Sequence, residues 1–103
     1  GRLWISEWSS GQVSRYDPAT QQWKAWKPSE RSQIYAVYVD ERDKVWVAEW
    51  SAQAMLRFDP VTQKFESYKS STATANVRQI HGRKGEVWTP ESAADKLVVY
   101  RYK

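Results

Sequence analysis

An all-β fold is predicted by this sequence, and three observations predict it. The stretch Leu3-Trp4-Ile5-Ser6-Glu7-Trp8 returns as Val45-Trp46-Val47-Ala48-Glu49-Trp50 and, in worn form, as Val87-Trp88-Thr89-Pro90-Glu91-Ser92, each copy 42 residues after the last. The turn Asp17-Pro18-Ala19-Thr20-Gln21 returns at the same interval as Asp59-Pro60-Val61-Thr62-Gln63. No stretch holds a 3.6-residue apolar period for two turns, so helix is disfavoured throughout. Four short strands per unit of this length is the pattern of a β-propeller blade. The expected architecture is β-propeller blades of four antiparallel strands, with about two and a half blades in the chain.

The elements follow in order. Leu3 to Trp8 is short, apolar and ends at Ser9-Ser10-Gly11, which marks a strand and a turn. Val13-Ser14-Arg15-Tyr16 alternates with period two and reads as the next strand. In the Asp-Pro turn, proline presets φ and the aspartate accepts backbone N–H groups ahead of it. Trp23-Lys24-Ala25-Trp26 is the third strand, copied by Phe65-Glu66-Ser67-Tyr68. After a polar link, Ile34-Tyr35-Ala36-Val37-Tyr38-Val39 is continuously apolar, which suggests an inner strand covered on both faces. Asp40 to Asp43 turns the chain into the next tryptophan strand. Val77 to His81, Glu86 to Glu91 and Leu97 to Tyr102 supply the last three strands. As a single segment, 1–103, the chain divides into a partial blade at 2–33, a complete blade at 34–75 and a partial blade at 76–103.

Composition excludes several classes. Cysteine is absent and His81 is the only histidine, which removes disulfide frameworks, thiolate sites and multi-histidine metal cages. The net charge of +4 comes from scattered basic residues rather than a stripe, so a nucleic-acid partner is not expected. No apolar run approaches the ~20 residues of a membrane span, and no membrane partner is expected. With no leader in this stretch, a cytoplasmic location is favoured; Gly1 at the start fits a tag scar or a cut from a longer protein.

Propellers close with about four to eight blades, and a blade buries its faces only against neighbours. A chain of this size would leave large apolar faces wet. The expectation is therefore a homo-oligomer built by blade packing into a ring, with strand exchange or domain swapping near the termini; a segment of a longer propeller is the other reading.

At the tryptophan strand and the Asp-Pro turn the sequence resembles the streptogramin B lyase (virginiamycin B lyase) family of seven-bladed propellers. Leu3-Trp4-Ile5-Ser6-Glu7 with Val13-Ser14-Arg15-Tyr16-Asp17-Pro18-Ala19-Thr20 matches that family's repeat, and Val45-Trp46-Val47-Ala48-Glu49 with Leu56-Arg57-Phe58-Asp59-Pro60-Val61-Thr62 matches it again. Gly85-Glu86-Val87-Trp88 and the residues after it resemble the last blade. Gln21 and Gln63 depart from the pattern, standing where the family's turn usually has glycine.

The resemblance implies a carbon–oxygen lyase that opens a cyclic depsipeptide at an ester, using a divalent metal (Mg2+), a histidine base and a glutamate. Glu91 is the candidate for that glutamate and for a metal ligand. A hairpin turning around Lys84 sets Glu91 opposite Val77, and one turning around Arg42 sets Glu49 opposite Tyr35. Valine cannot take a proton. His81 lies four residues further on, about 13 Å along a strand. The lyase machinery is thus expected to be incomplete in this chain.

Glu7, Glu49 and Glu91 then form carboxylates near one mouth. They could hold a cation, or each could cap a turn or pair with a repeat arginine, Arg15 or Arg57; a residue present in every unit more often serves the unit. Trp4, Trp46 and Trp88 fit inter-blade packing. Trp8 and Trp50 end their strands and could rim the mouth, where an indole stacks on a sugar or flat ligand. Tyr35 and Tyr38 sit on opposite faces of the inner strand, so that one reaches the channel. The candidate ligand-binding set is Glu7, Glu49, Trp8, Trp50 and Tyr35. Three readings follow: a self-assembling propeller segment of binding or structural character without intact lyase catalysis, a metal-dependent lyase, and a glycan or small-molecule binder.

Overall fold

The structure, a computed structural model, describes residues 2–69, 79–91 and 96–102, with the side chains of Lys69, Glu91 and Lys96 outside that description. No helix occurs among the described residues, and ten strands form three antiparallel sheets. The first sheet is β1 (Leu3–Glu7), β2 (Gln12–Asp17) and β3 (Gln22–Trp26), in that order. The second is β4 (Ile34–Val39), β5 (Val45–Glu49), β6 (Ala54–Asp59) and β7 (Lys64–Lys69). The third is β8 (His81–Arg83), β9 (Glu86–Glu91) and β10 (Lys96–Arg101). Each sheet is a blade of successive hairpins, as the repeat predicts.

The repeated turns are built alike. The Asp17 carboxylate accepts the Ala19 N–H at 3.0 Å, and its carbonyl accepts the Gln21 N–H at 2.7 Å. Asp59 does the same with Val61 at 2.9 Å and Gln63 at 2.7 Å. Both turns close through a glutamine in the left-handed region, Gln21 at φ 58° and Gln63 at φ 59°.

Alternation then divides every blade into two faces. Cross-strand register places Val45, Phe58 and Phe65 on one face of the second sheet and Trp46 with Arg57 on the other. Trp4, Val13 and Trp26 of the first sheet pack against Val45, Val47, Phe58 and Phe65 in one core. Trp46, Ala48, Met55 and Tyr68 pack against Val87, Tyr100 and Tyr102 of the third sheet in the other. The two joints are the same joint made twice, displaced by one repeat. Burying these side chains stabilises the stack by roughly 1.5–3 kcal/mol per large residue.

The arginines belong to the joints rather than to the glutamates. Register sets Arg15 opposite Trp4, and its guanidinium lies 5.7 Å from the Trp4 ring and 5.2 Å from the Trp26 ring. Arg57 lies 5.7 Å from Trp46 and 5.8 Å from Tyr102. The expected arginine–glutamate pairing is thus replaced by cation–π contact, because cross-strand neighbours share a face.

Three expectations about local register are corrected. The strand buried along its whole length is β5, not β4, whose Tyr35 and Val39 are exposed; a sheet's inner edge has a neighbour on one side only. Glu49 stands opposite Ile34 rather than Tyr35, since the register shifts between Ile34 and Val37 and leaves Tyr35 and Ala36 as the extra-residue bulge. In the third sheet Gly82 pairs with Val87 and Arg83 with Glu86. The loop is the two-residue Lys84-Gly85, with Gly85 at φ 81°, so the register is offset by one from a hairpin centred on Lys84. The innermost strand there runs His81–Arg83, and Val77 lies outside the described residues.

Candidate functional site

The ends of β1 and β5 and the start of β4 meet at one mouth, which collects the residues the repeat singled out. Ser6 Oγ donates to the Tyr35 carbonyl at 3.0 Å and ties β4 to β1 across the first joint. Trp8 then meets Tyr35 edge-on at 5.5 Å and Trp50 edge-on at 5.7 Å, and Tyr35 and Trp50 are 5.5 Å apart. Trp8 is 40% and Tyr35 46% exposed, so the trio presents aromatic surface to solvent. Sequence reasoning placed the tryptophans at the rim; the bulge at Tyr35 is what turns the third ring toward them.

Glu7 and Glu49 end β1 and β5 just before Trp8 and Trp50. Glu49 is only 5% exposed. Its Oε1 accepts the Gln33 N–H at 2.7 Å, the Ser51 N–H at 3.1 Å and the Ser51 hydroxyl at 2.5 Å, while Oε2 accepts the Ala52 N–H at 2.8 Å. One side chain therefore holds both the β5–β6 turn and the link that enters β4. Glu7 accepts hydroxyl bonds from Ser10, at 3.1 Å, and from Ser14. Ser51 and Ser14 are the partners that sequence reading missed; a serine two residues past a repeated glutamate was the available signal for Ser51.

A divalent cation does not fit this arrangement. Both oxygens of Glu49 already face N–H or O–H donors, whose positive ends would oppose a metal ion, and hard cations need free oxygen ligands. Among the described residues no three His, Cys, Asp or Glu side chains converge as a metal set. Glu91 ends β9 opposite Lys96, and its carboxylate lies outside the described residues, as does Val77. His81 is exposed in β8 opposite Trp88.

The opposite mouth carries a cleft of about 560 Å3 lined by Arg2, Trp4, Arg42, Lys44 and Asp59 among others. Its charges are largely committed: Lys44 pairs with Asp59 at 3.3 Å and Arg2 with Asp17 at 3.7 Å. The Val61 N–H, followed by Lys44, holds the Asp59 carboxyl below the usual carboxylate range. Further along this end, Asp40 accepts the Arg42 and Lys44 N–H groups at 2.8 and 3.0 Å and the Trp46 indole N–H at 2.9 Å. In the third sheet Glu86 takes the corresponding role for Trp88, at 3.2 Å.

No protein-family model matches the chain, and no curated protein matches it. Solved structures do. Virginiamycin B lyase from Staphylococcus aureus superposes with a TM-score of 0.80 at 16% identity over 99% of this chain and 38% of its own. A catalytically inactive variant of that enzyme, solved with quinupristin, gives 0.80 at 15% identity over 99% and 38%. A streptogramin B lyase structure gives 0.81 at 16% identity over 99% and 37%. The chain thus spans well under half the length of these relatives, and at such identities the likeness concerns the fold. The chain has the architecture of a partial β-propeller resembling streptogramin B lyase.

Proposed function

We propose that this chain is a propeller segment of structural and binding character, which associates with copies of itself into a closed ring and works without lyase catalysis. The observation that carries the reading is where apolar surface is left open. Leu3, Ile5 and Trp23 are 58, 38 and 60% exposed on the first sheet, and Leu97 and Val99 are 65 and 37% exposed on the last. These residues gather on the two outward faces of the stack, a distribution that marks an interaction surface. The catalytic half of the reading is supported by Glu49, the counterpart of Glu91 one repeat earlier, whose carboxylate accepts backbone and hydroxyl donors of the adjoining turn and link. Light scattering of the purified chain tests the first half, with a multiple of the monomer mass expected. Incubation with a streptogramin B substrate and Mg2+ tests the second; metal-dependent ring opening, lost in Glu91→Ala, would establish a lyase instead.

A second reading is favoured by the Trp8–Tyr35–Trp50 trio. Three rings within 5.7 Å of one another, two of them well exposed, make a platform for the flat face of a sugar or a small aromatic ligand. Tryptophan fluorescence titrated with oligosaccharides reads it directly. Binding that persists unchanged in Trp50→Ala would remove the trio from consideration.

A further inference from the structure

Every blade carries the same two faces, and within the chain one kind always meets the other. The face turned back toward the preceding blade holds Val45, Val47, Phe58 and Phe65 in the second sheet, and Val87 and Tyr100 in the third. The face turned toward the following blade holds Trp4, Val13 and Trp26 in the first sheet, and Trp46, Met55 and Tyr68 in the second.

Ring geometry shows how closely the copies agree. Trp4 and Trp26 stack at 5.7 Å and 28°, and Trp46 and Tyr68 at 5.7 Å and 26°. Across the joints, Phe58 meets Trp4 at 6.2 Å and Tyr100 meets Trp46 at 5.9 Å. One blade offers a tryptophan platform and the next sets an aromatic knob against it.

The two open faces are one of each kind. On the first sheet, Leu3, Ile5, Tyr16 and Trp23 occupy the positions of Val45, Val47, Phe58 and Phe65. Tyr16 and Trp23 sit 4.7 Å apart at 41°, against 4.6 Å and 39° for Phe58 and Phe65 in the closed joint. On the last sheet, Trp88, Leu97 and Val99 occupy the positions of Trp46, Met55 and Arg57. Arg83 lies 5.5 Å from the Trp88 ring, so this platform also carries a cation.

From this complementarity we infer that copies of the chain join head to tail, the Trp88–Leu97–Val99 face of one copy seating the Leu3–Tyr16–Trp23 face of the next. This rests on the self-association proposed above and adds its direction. The contact is heterologous, so it propagates until the ring closes. A self-complementary joint is disfavoured because two tryptophan platforms, or two aromatic knobs, never meet in the two joints already formed.

The test uses two blocked variants of the full chain, Trp23→Glu for the head face and Leu97→Glu for the tail face. Both positions are exposed, and near-UV circular dichroism checks that the native tryptophan packing is kept. Where either signal is lost, Leu3→Gln and Val99→Gln replace them. Sedimentation velocity should show the unmodified chain as an oligomer and each variant alone as a monomer. An equimolar mixture should double in mass, because each variant keeps the face the other has lost. A variant that still dimerises alone, or a mixture that stays monomeric beside an oligomeric parent, overturns the head-to-tail joint and leaves self-association standing. A monomeric parent overturns both.

Discussion

The phenol of Tyr102 donates a 2.7 Å hydrogen bond to the carboxylate of Glu41, joining residues 61 apart in the chain and binding the third sheet to the β4–β5 turn. The other oxygen of Glu41 accepts the Gly85 N–H at 3.0 Å, so a single side chain holds the β8–β9 turn and the end of β10, which are themselves joined by the Tyr102 N–H to the Gly85 carbonyl at 2.9 Å.

This clamp has a pH window. The Tyr102 phenol first, and then the Gly85 N–H, hold the Glu41 carboxyl below its ordinary value of 4.5. Burial, followed by the Glu41 carboxylate, pushes the Tyr102 phenol above its ordinary value of 10. A lowered carboxyl contributes stability that is present above its unfolded value and lost as pH falls through its folded one; a raised phenol contributes stability present below its unfolded value and lost at higher pH. The third sheet should therefore loosen below about pH 4.5 and above about pH 10, and Glu41→Gln should remove the acid limb while only softening the alkaline one, which burial of the phenol sustains. Amide hydrogen exchange in β9 and β10 across pH reads the effect. Equal protection in the variant and the parent at every pH would exclude the clamp.

Glu86 makes a second acid-sensitive point. Arg83 at 2.6 Å and Arg101 at 3.0 Å draw its carboxyl down to about 2. The pair's contribution is complete above about pH 4.5 and fades as pH falls toward 2. A carboxyl carbon shift titration should find Glu86 ionised at pH 3.5, a point at which an unperturbed glutamate is mostly protonated.

Removing the Glu49 carboxylate should cost more than removing that of Glu7. Glu49→Ala leaves three backbone N–H groups without their acceptor, a loss of about 3 kcal/mol or more at roughly 1–3 kcal/mol for each unsatisfied group. Glu7→Ala frees the Ser10 hydroxyl, which can turn to water, and leaves the buried Ser14 hydroxyl without its acceptor, so about 1–2 kcal/mol is expected. Urea unfolding midpoints compare the two; equal costs would count against a turn-holding role for Glu49.

Thr89 is fully buried in the joint between the second and third sheets, and its hydroxyl has no hydrogen-bond partner among the described residues. The equivalent position in the second sheet is Val47, also fully buried. Thr89→Val should raise stability by about 1 kcal/mol, since an unpaired buried hydroxyl costs roughly 1–3 kcal/mol. A lowered melting temperature would show that the hydroxyl is satisfied.

The two turn glutamines should respond differently to glycine. Both adopt positive φ, where a side chain costs about 1 kcal/mol relative to glycine. Gln63 offsets that cost by accepting the Trp26 indole N–H at 3.1 Å across the first joint. Gln21→Gly should stabilise by about 0.5–1 kcal/mol, whereas Gln63→Gly should be neutral or harmful. Thermal melts of the pair settle the contrast.

Much of the fold was legible because its determinants are local. Alternation, the aspartate turns and the 42-residue spacing of Trp4, Trp46 and Trp88 each depend on neighbours a few residues away, so most strands and hairpins could be read from residue order. The candidate site was legible as a set of names but not as a geometry. A one-residue bulge at Tyr35–Ala36 changed which residue faces Glu49 and turned Tyr35 toward Trp8 and Trp50. Whether a glutamate serves a ligand or a turn depends on where Gln33, Ser51 and Ala52 bring their N–H groups, and Gln33 arrives from another strand's approach. Arg15 and Arg57 chose tryptophan over glutamate because blade stacking, a long-range event, set the rings beneath them. Sequence alone determined the unit and its two faces; tertiary packing decided which side chains those faces consume and which they leave open.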